Sequence, residues 1–384
     1  MENLVLSDKK ITNKVTKVPF IDLKRQYLEN KEEILDVVDK ILSSGTYILG
    51  DVVETFERNI ARYLECKYVL SVANGTDALI LAFKSLNIGP GDEVILPVNS
   101  FIATAGAVVA VGAKPVLCDV QDDLNIDVAK IEALINKNTK AIIPVHLTGR
   151  PAEMNDILGI AKRYSLFVIE DAAQSIGARY HGKMTGNIGD IGCFSLHPLK
   201  NLHVYGDGGL ISTNDERLYN EMKILRNHGL INRDICNRFG LNSRLDTLQA
   251  GIADYSLKHL EKWNEKRRLT AKCYQSQLKN YFHTPIDKSY EHCVYHNFVV
   301  LTEHRDALMS YLLNKGIETK IHYPIPIHLQ PACLSLGYKR GDFPMAEKLS
   351  QQMLSLPVYS ELREEEMQFV IDNICSFYKN KSTT

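Results

Sequence analysis

Short apolar runs alternate with helix-length segments between residues 50 and 215 of the chain. Continuous Val, Ile and Leu runs separated by helical patterns indicate strands that are buried on both faces and mainly parallel. The runs are YVLSVA (68–73), EVILPV (93–98), KPVLCDV (114–120), AIIPVHL (141–147), LFVIED (166–171) and GCFSL (192–196). The segments 51–64 and 74–87 are predicted as helices. The pattern predicts an α/β fold, a large domain with a mostly parallel central sheet flanked by helices.

A long, charged and amphipathic segment, residues 254–281, is predicted as a connecting helix. After it the rhythm changes, and the predicted elements are a strand at 294–302, a helix at 305–316, an extended segment at 317–324 and helices at 346–354 and 363–379. This order of elements is typical of a small α+β domain. We therefore expect a polar N-terminal arm at 1–17, a large domain at 18–255 and a small C-terminal α+β domain at 256–384.

Composition narrows the classes of function. The 384 residues carry 45 Lys and Arg against 46 Asp and Glu, so no net charge favours nucleic acid or an anionic membrane as a partner. The eight cysteines show no CxxC and no metal-type spacing, which predicts reduced thiols. No apolar run approaches the length of a membrane span, and the N-terminal residues lack a signal-peptide core. We expect a cytoplasmic protein that binds neither nucleic acid nor membranes.

Two candidate sites follow predicted strands, at the edge where open α/β sheets place their ligands. The turn NGTD (74–77) begins a predicted helix, and its free backbone N–H groups and Thr hydroxyl suit a phosphate. The alternative there is an ordinary capped turn without a ligand. EDAAQ (170–174) ends the run 166–171 and places a carboxylate at the same edge, with a helix-capping Asp as the alternative.

A third candidate is Lys200, within FSLHPLKNLHVYGDGG (194–209). Burial lowers the pKa of a lysine so that its neutral amine can form a Schiff base, and a solvated surface lysine is the alternative. A phosphate cradle, an acid 29 positions before the lysine and glycine-rich turns together indicate a pyridoxal phosphate (PLP) site. Phe101, at another strand end, is a candidate for stacking on the ring, with a core position as the alternative.

The segment HYPIPIH (322–328) raises a metal site as an alternative, because it contains two histidines. The intervening prolines force an extended chain, and no carboxylate or cysteine completes a ligand set. We therefore predict no metal.

The same motifs carry a resemblance to a known family. The chain resembles the nucleotide-sugar aminotransferases of the DegT type, which are fold-type I PLP enzymes, over nearly all residues after the N-terminal arm. The matching motifs, in the family's order, are VPFIDLKRQY, SGTYILGDVVETFE, NGTDAL, EDAAQSIGA, FSLHPLKNL, GDGG, RNHG, NSRLDTLQA, GIETKIHYPIPIHLQP and LSLPVY.

The resemblance implies that Lys200 carries the cofactor as an internal aldimine and that Asp171 pairs with the pyridinium nitrogen. It also implies a set of cofactor contacts: Gly75, Thr76 and Ser195 at the phosphate, Gln174 at the ring hydroxyl and Phe101 on the ring face. The family implies a homodimer with shared active sites, in which Asn242 reaches the partner's phosphate group. The residues implied to approach the sugar-nucleotide are Arg244, His322 and Tyr323, expected at the partner's site, and His197, for which structural packing is the alternative.

Several departures from the family bear on specificity. Ile176 stands where relatives often carry His, so one polar contact to the sugar is missing or supplied elsewhere. Ser100 precedes Phe101 where many relatives have Thr, which keeps a hydroxyl there. The GDGG motif resembles the branch that aminates C3, whereas GEGG is more frequent in enzymes that aminate C4. The dehydratase branch has His in place of Lys200.

The resemblance therefore implies an aminotransferase that moves an amino group from glutamate to a keto-sugar on dTDP or UDP, at C3. It implies two half-reactions, with pyridoxamine phosphate formed between them and Lys200 moving the proton in each. The alternatives are a sugar dehydratase or a cyclitol aminotransferase of the same fold, and a non-catalytic regulator that senses a sugar nucleotide.

Overall fold

The computed structural model describes residues 15–381, so the first fourteen residues of the predicted arm lie outside the described range. The α-helices in that range are Leu23–Glu29 (α1), Lys31–Ser44 (α2), Asp51–Tyr63 (α3), Gly75–Ser85 (α4), Ile102–Ala110 (α5), Val128–Ile131 (α6), Met154–Tyr164 (α7), Glu216–Leu225 (α8), Thr247–Leu278 (α9), Arg305–Asn314 (α10), Pro344–Gln352 (α11) and Glu364–Lys381 (α12). Short 3-10 helices cover Glu132–Leu134, Leu147–Gly149, Ile327–Leu329 and Pro331–Leu336.

The strands are Tyr68–Val72 (β1), Glu93–Pro97 (β2), Lys114–Cys118 (β3), Thr139–Ile142 (β4), Phe167–Asp171 (β5), Arg179–Tyr180 (β6), Lys183–Met184 (β7), Ile191–Ser195 (β8), Gly209–Thr213 (β9), Glu291–His292 (β10), Phe298–Leu301 (β11) and Met353–Leu356 (β12). Seven of them form one sheet in the order β1-β9-β8-β5-β4-β2-β3. The pairs from β3 to β8 are parallel, and β9 is antiparallel to both of its neighbours.

The predicted α/β architecture is confirmed, and each of the six predicted apolar runs overlaps a strand of the seven-stranded sheet. These strands are buried on both faces because helices cover each side of the sheet, which explains their continuous apolar sequence. Strand β9 was not predicted; it inserts between β1 and β8 although it follows both in sequence.

The long helix α9 joins two apolar cores. Its N-terminal half, with Ala250 and Leu260, packs in a cluster with α3 and β1. Its C-terminal half, with Tyr274 and Leu278, packs in a second cluster with β11, β12, α10 and α12. The predicted start at residue 254 was wrong, because the helix begins at Thr247, directly after the extended Asp246.

The C-terminal region has the predicted α+β content, with one correction. Residues 353–354 were predicted as the end of a helix, but they begin β12, which pairs antiparallel with β11. The chain near the N-terminus also contacts this region, since Val18 forms a β-bridge with Ile317 and is fully buried there. The domain limits 1–17, 18–255 and 256–384 stay predictions. Within residues 15–381, no helix has the length and apolar character needed to cross a membrane.

Candidate active site

A cavity of about 330 Å³ opens at the carboxyl edge of the parallel strands. Most of the residues singled out from the sequence line it: Gly75, Thr76, Phe101, Asp171, Gln174, Ser195, His197, Lys200, His322 and Tyr323. Asn242 and Arg244 do not line it. The structure therefore brings ten of the twelve predicted site residues to one cavity, although they come from segments far apart in sequence.

A second cavity, of about 260 Å³, lies between residues 121–124 and 283–288. Its main charged groups already have partners: Arg150 forms an ion pair with Glu291 at 2.7 Å, and Lys288 forms one with Glu153. Charges that are already neutralised attract a charged ligand weakly, so the first cavity is the better candidate for chemistry.

One end of the first cavity is built to hold an anion. Asn74 caps α4, and its Oδ1 accepts a hydrogen bond of 2.8 Å from the backbone N–H of Asp77. The backbone N–H groups of Gly75 and Thr76, in the first turn, have no intrahelical acceptor. A Cβ atom on Gly75 would lie 2.9 Å from the Cβ of Ser195, so only glycine lets α4 approach the end of β8 this closely. A phosphate fits this cradle.

Close packing explains a glycine in the glycine-rich turn after Lys200. Gly209 pairs with Ser195 on one side and with Val72 on the other, and a Cβ there would collide with the carbonyl group of Asn74. Asp207, within the same turn, lines the cavity. The GDGG motif thus lets the strand carrying the turn pass directly beneath the anion-binding helix.

Asp171 ends β5 and lines the same cavity, and it is only 7% exposed. Its Oδ2 accepts a hydrogen bond of 2.8 Å from Thr104 Oγ1, and its Oδ1 accepts one of 3.2 Å from the backbone N–H of Ala173. The next regular element after Asp171 is strand β6, so the helix-cap alternative is wrong. The carboxylate retains accepting capacity toward the cavity.

Lys200 lies in the turn after β8, where its backbone N–H donates a hydrogen bond of 2.8 Å to the carbonyl of His197. Burial lowers the pKa of its amine from 10.5 to about 8, although the carboxylate of Asp171 raises that pKa in part. An amine with this pKa is neutral in a substantial fraction near pH 8, as a nucleophile or a base must be. The surface-lysine alternative does not fit these surroundings.

Gln174 and Tyr323 join two parts of the chain across the cavity. Gln174 Nε2 donates a hydrogen bond of 3.2 Å to Tyr323 Oη, and Gln174 Oε1 accepts one of 2.8 Å from the backbone N–H of Thr148. Burial, with a contribution from the carboxylate of Asp171, raises the pKa of Tyr323 to about 12, so the phenol stays protonated. The ring of Phe101 lies 5.8 Å from that of Tyr323 and the residue is 56% exposed, so a core position for it is excluded.

The position of His322 and Tyr323 differs from the one that we expected. We expected them at the partner's site, but they line the same cavity as Lys200 of their own chain. The backbone explains this position, because Lys320 bridges to Ser355 and the N–H of Ile327 donates to the carbonyl of Val98, beyond the end of β2. His322 Nδ1 lies 2.8 Å from the hydroxyl of Ser355, and burial lowers the pKa of its imidazole to about 4.

His197 approaches the cavity from the lysine turn itself. Its Nδ1 accepts a hydrogen bond of 3.3 Å from the backbone N–H of Leu199, so the neutral ring carries its proton on Nε2. Burial lowers the pKa of His197, and the neighbouring amine of Lys200 lowers it further. The ring is therefore a neutral donor beside Lys200 near pH 7.

Sequence reasoning missed His296, which also lines the cavity. The carbonyl of Val294 can only accept, so the atom of Asn201 facing it at 3.1 Å is the amide nitrogen. The amide oxygen of Asn201 therefore faces His296 Nδ1 at 3.2 Å, and Nδ1 must donate. Burial, together with Lys200, lowers the pKa of His296 well below 6.5, so Nε2 carries a lone pair. His296 lies in the predicted strand 294–302, and nothing in the apolar and polar pattern of that segment marks it as a cavity residue.

Asn242 and Arg244 lie on a separate segment. Asn242 forms a β-bridge with Asn227, and Arg244 Nη1 donates a hydrogen bond of 3.0 Å to Asn227 Oδ1. Arg244 Nε is buried and has no hydrogen-bond partner among residues 15–381. Their expected contact with a partner's site stays a prediction. Ile176 is buried in the cluster of α3 and β1 and does not line the cavity.

Residues 28–375 match the family described as DegT/DnrJ/EryC1/StrS aminotransferases. The chain belongs to this family. The "Pleiotropic regulatory protein" of Geobacillus stearothermophilus is 44% identical over 368 residues, which cover 94% of this chain and 99% of that protein. The dTDP-3-amino-3,6-dideoxy-alpha-D-galactopyranose transaminase of Aneurinibacillus thermoaerophilus is 43% identical over 362 residues, which cover 93% of this chain and 98% of that protein.

Two solved structures agree with the fold. DesV of S. venezuelae, solved in complex with a ketimine intermediate, superposes with a TM-score of 0.93 at 40% identity, covering 94% of this chain and 99% of that one. NtdA of Bacillus subtilis, solved with bound PMP, has a TM-score of 0.89 at 35% identity, covering 96% of this chain and 86% of that one. The resemblance seen in the motifs and the expected fold-type I architecture are confirmed.

Proposed function

We propose that this protein is a PLP-dependent aminotransferase that places an amino group on C3 of a keto-sugar linked to dTDP or UDP, with glutamate as the donor. One observation carries the proposal: Lys200, Asp171 and the N-terminus of α4 line the same cavity. The transaminase from Aneurinibacillus thermoaerophilus and the PMP-bound structure support the sugar class and the cofactor.

The residues present fit the cofactor. The α4 N-terminus and Ser195 would hold its phosphate, Asp171 its ring nitrogen, and Phe101 and Gln174 its ring face and hydroxyl. PLP, when bound, supplies a protonated ring that accepts the electron pair left when a C–H bond next to nitrogen breaks. The carboxylate of Asp171 is buried and held by two hydrogen bonds, and a carboxylate so held is suited to retaining the proton on the ring nitrogen.

Lys200 is the proposed base and acid. Its neutral amine takes the proton from the α-carbon of the donor amino acid in the first half-reaction. In the second half-reaction the transfer would run in reverse: the neutral amine would take a proton from the cofactor's side and, as an ammonium group, deliver it to C3 of the sugar. The lowered pKa, about 8, matches this double role, because both forms are populated near neutral pH.

We assign sugar recognition to other residues that line the cavity. His197, His296, His322 and Asp207 line it without belonging to the phosphate cradle or to the acid end. Neutral imidazoles and a carboxylate can all form hydrogen bonds with the hydroxyl groups of a sugar. Amination at C3 is supported by the printed activity of the Aneurinibacillus relative and by the GDGG motif.

We also propose a homodimer with shared sites. Arg244 has a buried Nε atom without a partner within residues 15–381, next to the exposed Asn242, and both lie away from their own cavity. Exposed apolar side chains at Leu28, Leu35 and Leu42 provide further surface for a partner. Sedimentation of the purified protein would test the dimer.

All eight cysteines are free thiols, which supports a reducing compartment such as the cytoplasm.

The first experiment is a visible spectrum of the purified protein during titration with L-glutamate. We expect a yellow cofactor band that fades as the first half-reaction proceeds and returns when a 3-keto nucleotide sugar is added. A return only with 4-keto sugars would contradict the assignment to C3. A yellow protein indifferent to glutamate would contradict the donor, and glutamine would be tried next.

A regulator that does not catalyse is the second candidate, because a relative at 44% identity bears the name of a regulatory protein. The same titration separates the two functions. A protein that stays colourless after incubation with PLP would support the regulator and contradict the enzyme.

A further inference from the structure

Two buried residues that carry hydroxyl groups, Ser100 and Thr104, line the cavity beside Asp171. Ser100 Oγ lies 2.7 Å from Thr104 Oγ1, and Thr104 Oγ1 lies 2.8 Å from Asp171 Oδ2. The three residues are 5%, 1% and 7% exposed, so bulk water does not compete for these bonds. Thr104 is in the first turn of α5, whereas Asp171 ends β5, so the bonds connect two separate elements.

The carboxylate of Asp171 determines which hydroxyl group donates in each of these two hydrogen bonds. An ionised carboxylate only accepts, so the hydroxyl proton of Thr104 points to Asp171 Oδ2. The Thr104 oxygen is then the acceptor, and Ser100 donates to it. Two hydroxyl dipoles therefore align toward the same carboxylate oxygen, and each strengthens the other in a water-poor environment.

This alignment restricts the rotation of the carboxylate. The backbone N–H of Ala173 holds Oδ1 and Thr104 holds Oδ2, so each oxygen has one fixed donor. A carboxylate with neither donor would turn freely or seek another partner in the cavity, such as the amine of Lys200. The proposed function needs the opposite, a carboxylate directed at the cofactor and kept ionised.

We propose that Ser100 and Thr104 form a hydroxyl relay that positions Asp171 toward the cofactor and thereby keeps the ring nitrogen protonated. The inference rests on the proposed function, since it assumes that PLP binds in this cavity. Thr104 and Ser100 are positioning residues, because they act through Asp171. The Ser100 hydroxyl, noted in the sequence only as a replacement for the family's Thr, thus has a role.

The test compares Thr104→Val, which removes the hydroxyl at nearly constant volume, with Thr104→Ser, which keeps it. The apoproteins are titrated with PLP alone, without sugar, and the visible band of the bound cofactor is followed from pH 6 to 10. We expect Thr104→Val to bind PLP about tenfold more weakly, as loss of a hydrogen bond to a charged group implies. Its colour change should move to higher pH, because an unprotonated ring nitrogen withdraws less charge. Thr104→Ser should resemble the wild type in both.

A purely structural role predicts a different result. Thr104→Val would then lower the melting temperature of the apoprotein and leave the pH profile of the bound cofactor unchanged, which would overturn the relay. If Thr104→Val does not fold, Ser100→Ala keeps the Thr104–Asp171 bond, and we expect a shift in the same direction but smaller; an unshifted profile would overturn the relay. A wild-type protein that binds no PLP would overturn the proposed function along with the relay, whereas an unshifted variant of a yellow enzyme would overturn only the relay.

Discussion

Glu170 and Asp171 are adjacent acids at the end of one strand, and their environments differ completely. Glu170 accepts hydrogen bonds of 2.7 Å from the backbone N–H groups of Gly186, Ile188 and Gly189. His146 Nε2 lies 2.8 Å from the same carboxylate. Since His146 Nδ1 accepts from the backbone N–H of Ala152, its proton is on Nε2 and is donated to Glu170.

Asp171 faces the other way, because side chains alternate along a strand. It has two protein donors and lines the cavity, whereas Glu170 is fully buried with four donors. Glu57 resembles Glu170, since its carboxylate is occupied by Arg226 at 2.5 Å and by the N–H and hydroxyl of Ser71. The comparison teaches that burial alone does not mark a functional acid; unfilled accepting capacity at a cavity does.

The largest effect is expected for Lys200, whose side chain lines the same cavity as Asp171. Lys200→Ala should lower kcat by about 10⁴-fold, because the base that moves the proton is lost. Single-turnover absorbance with glutamate would measure it, and Lys183→Ala, an exposed lysine in β7, is the matched control. A Lys200→Ala protein that transaminates at the wild-type rate would refute the assignment.

The difference between Asp171 and Glu170 is tested by replacing each carboxylate with the corresponding neutral amide. Asp171→Asn should lower kcat by about 10²–10³-fold, as loss of one electrostatic stabiliser of a transition state does. Its free energy of unfolding should change little, because its carboxylate has few protein partners. Steady-state kinetics and urea denaturation of the same preparation would measure both quantities.

Glu170→Gln should do the reverse. The NH₂ group of the new amide cannot accept a hydrogen bond, so at least one buried backbone N–H group loses its acceptor. The free energy of unfolding should therefore fall by about 2–4 kcal/mol. The kcat per folded molecule should stay near the wild-type value. If Glu170→Gln impaired turnover as strongly as Asp171→Asn, the division between a structural and a functional acid would be wrong.

The pH dependence of cofactor capture links Lys200 to Asp171. Only the neutral amine attacks the aldehyde, so the rate of PLP capture by the apoprotein should rise with pH and level off above about 8. Asp171 raises the pKa of Lys200, so Asp171→Asn should move this midpoint to lower pH. Stopped-flow absorbance from pH 6 to 9 would measure it, with Glu170→Gln as the control that leaves the midpoint unchanged.

The smallest effect is expected at His296. His296→Leu removes one neutral acceptor, worth about 1 kcal/mol, and should raise the KM for the keto-sugar roughly fivefold. The glutamate half-reaction should keep its rate. An unchanged KM for the sugar would contradict the substrate contact, and a slowed glutamate half-reaction would assign His296 to the donor step instead.

Much of the site was predictable, because each of its main motifs directly follows a buried strand. The parallel strands bring Asp171 and Ser195 to one edge, and the turn at Gly75 begins the helix that follows β1. Their residue types already indicated an anion cradle, an acid and an amine. Thr104 was not predictable, since a threonine inside an apolar helix shows no periodicity that separates a relay from a packed side chain.

The sequence by itself determined the α/β class, the family and eight of the residues that line the cavity, because local patterns and motif order encode them. Only the tertiary structure decided that His296 and His322 line the same cavity as Lys200, and that β9 inserts between β1 and β8. It also decided that Asp171 faces the cavity, whereas the carboxylate of Glu170 is occupied by hydrogen-bond donors of the protein. The physical reason is that these outcomes depend on hydrogen bonds and contacts between segments distant along the chain, such as Glu170 with the turn at Gly186 or Thr104 with Asp171.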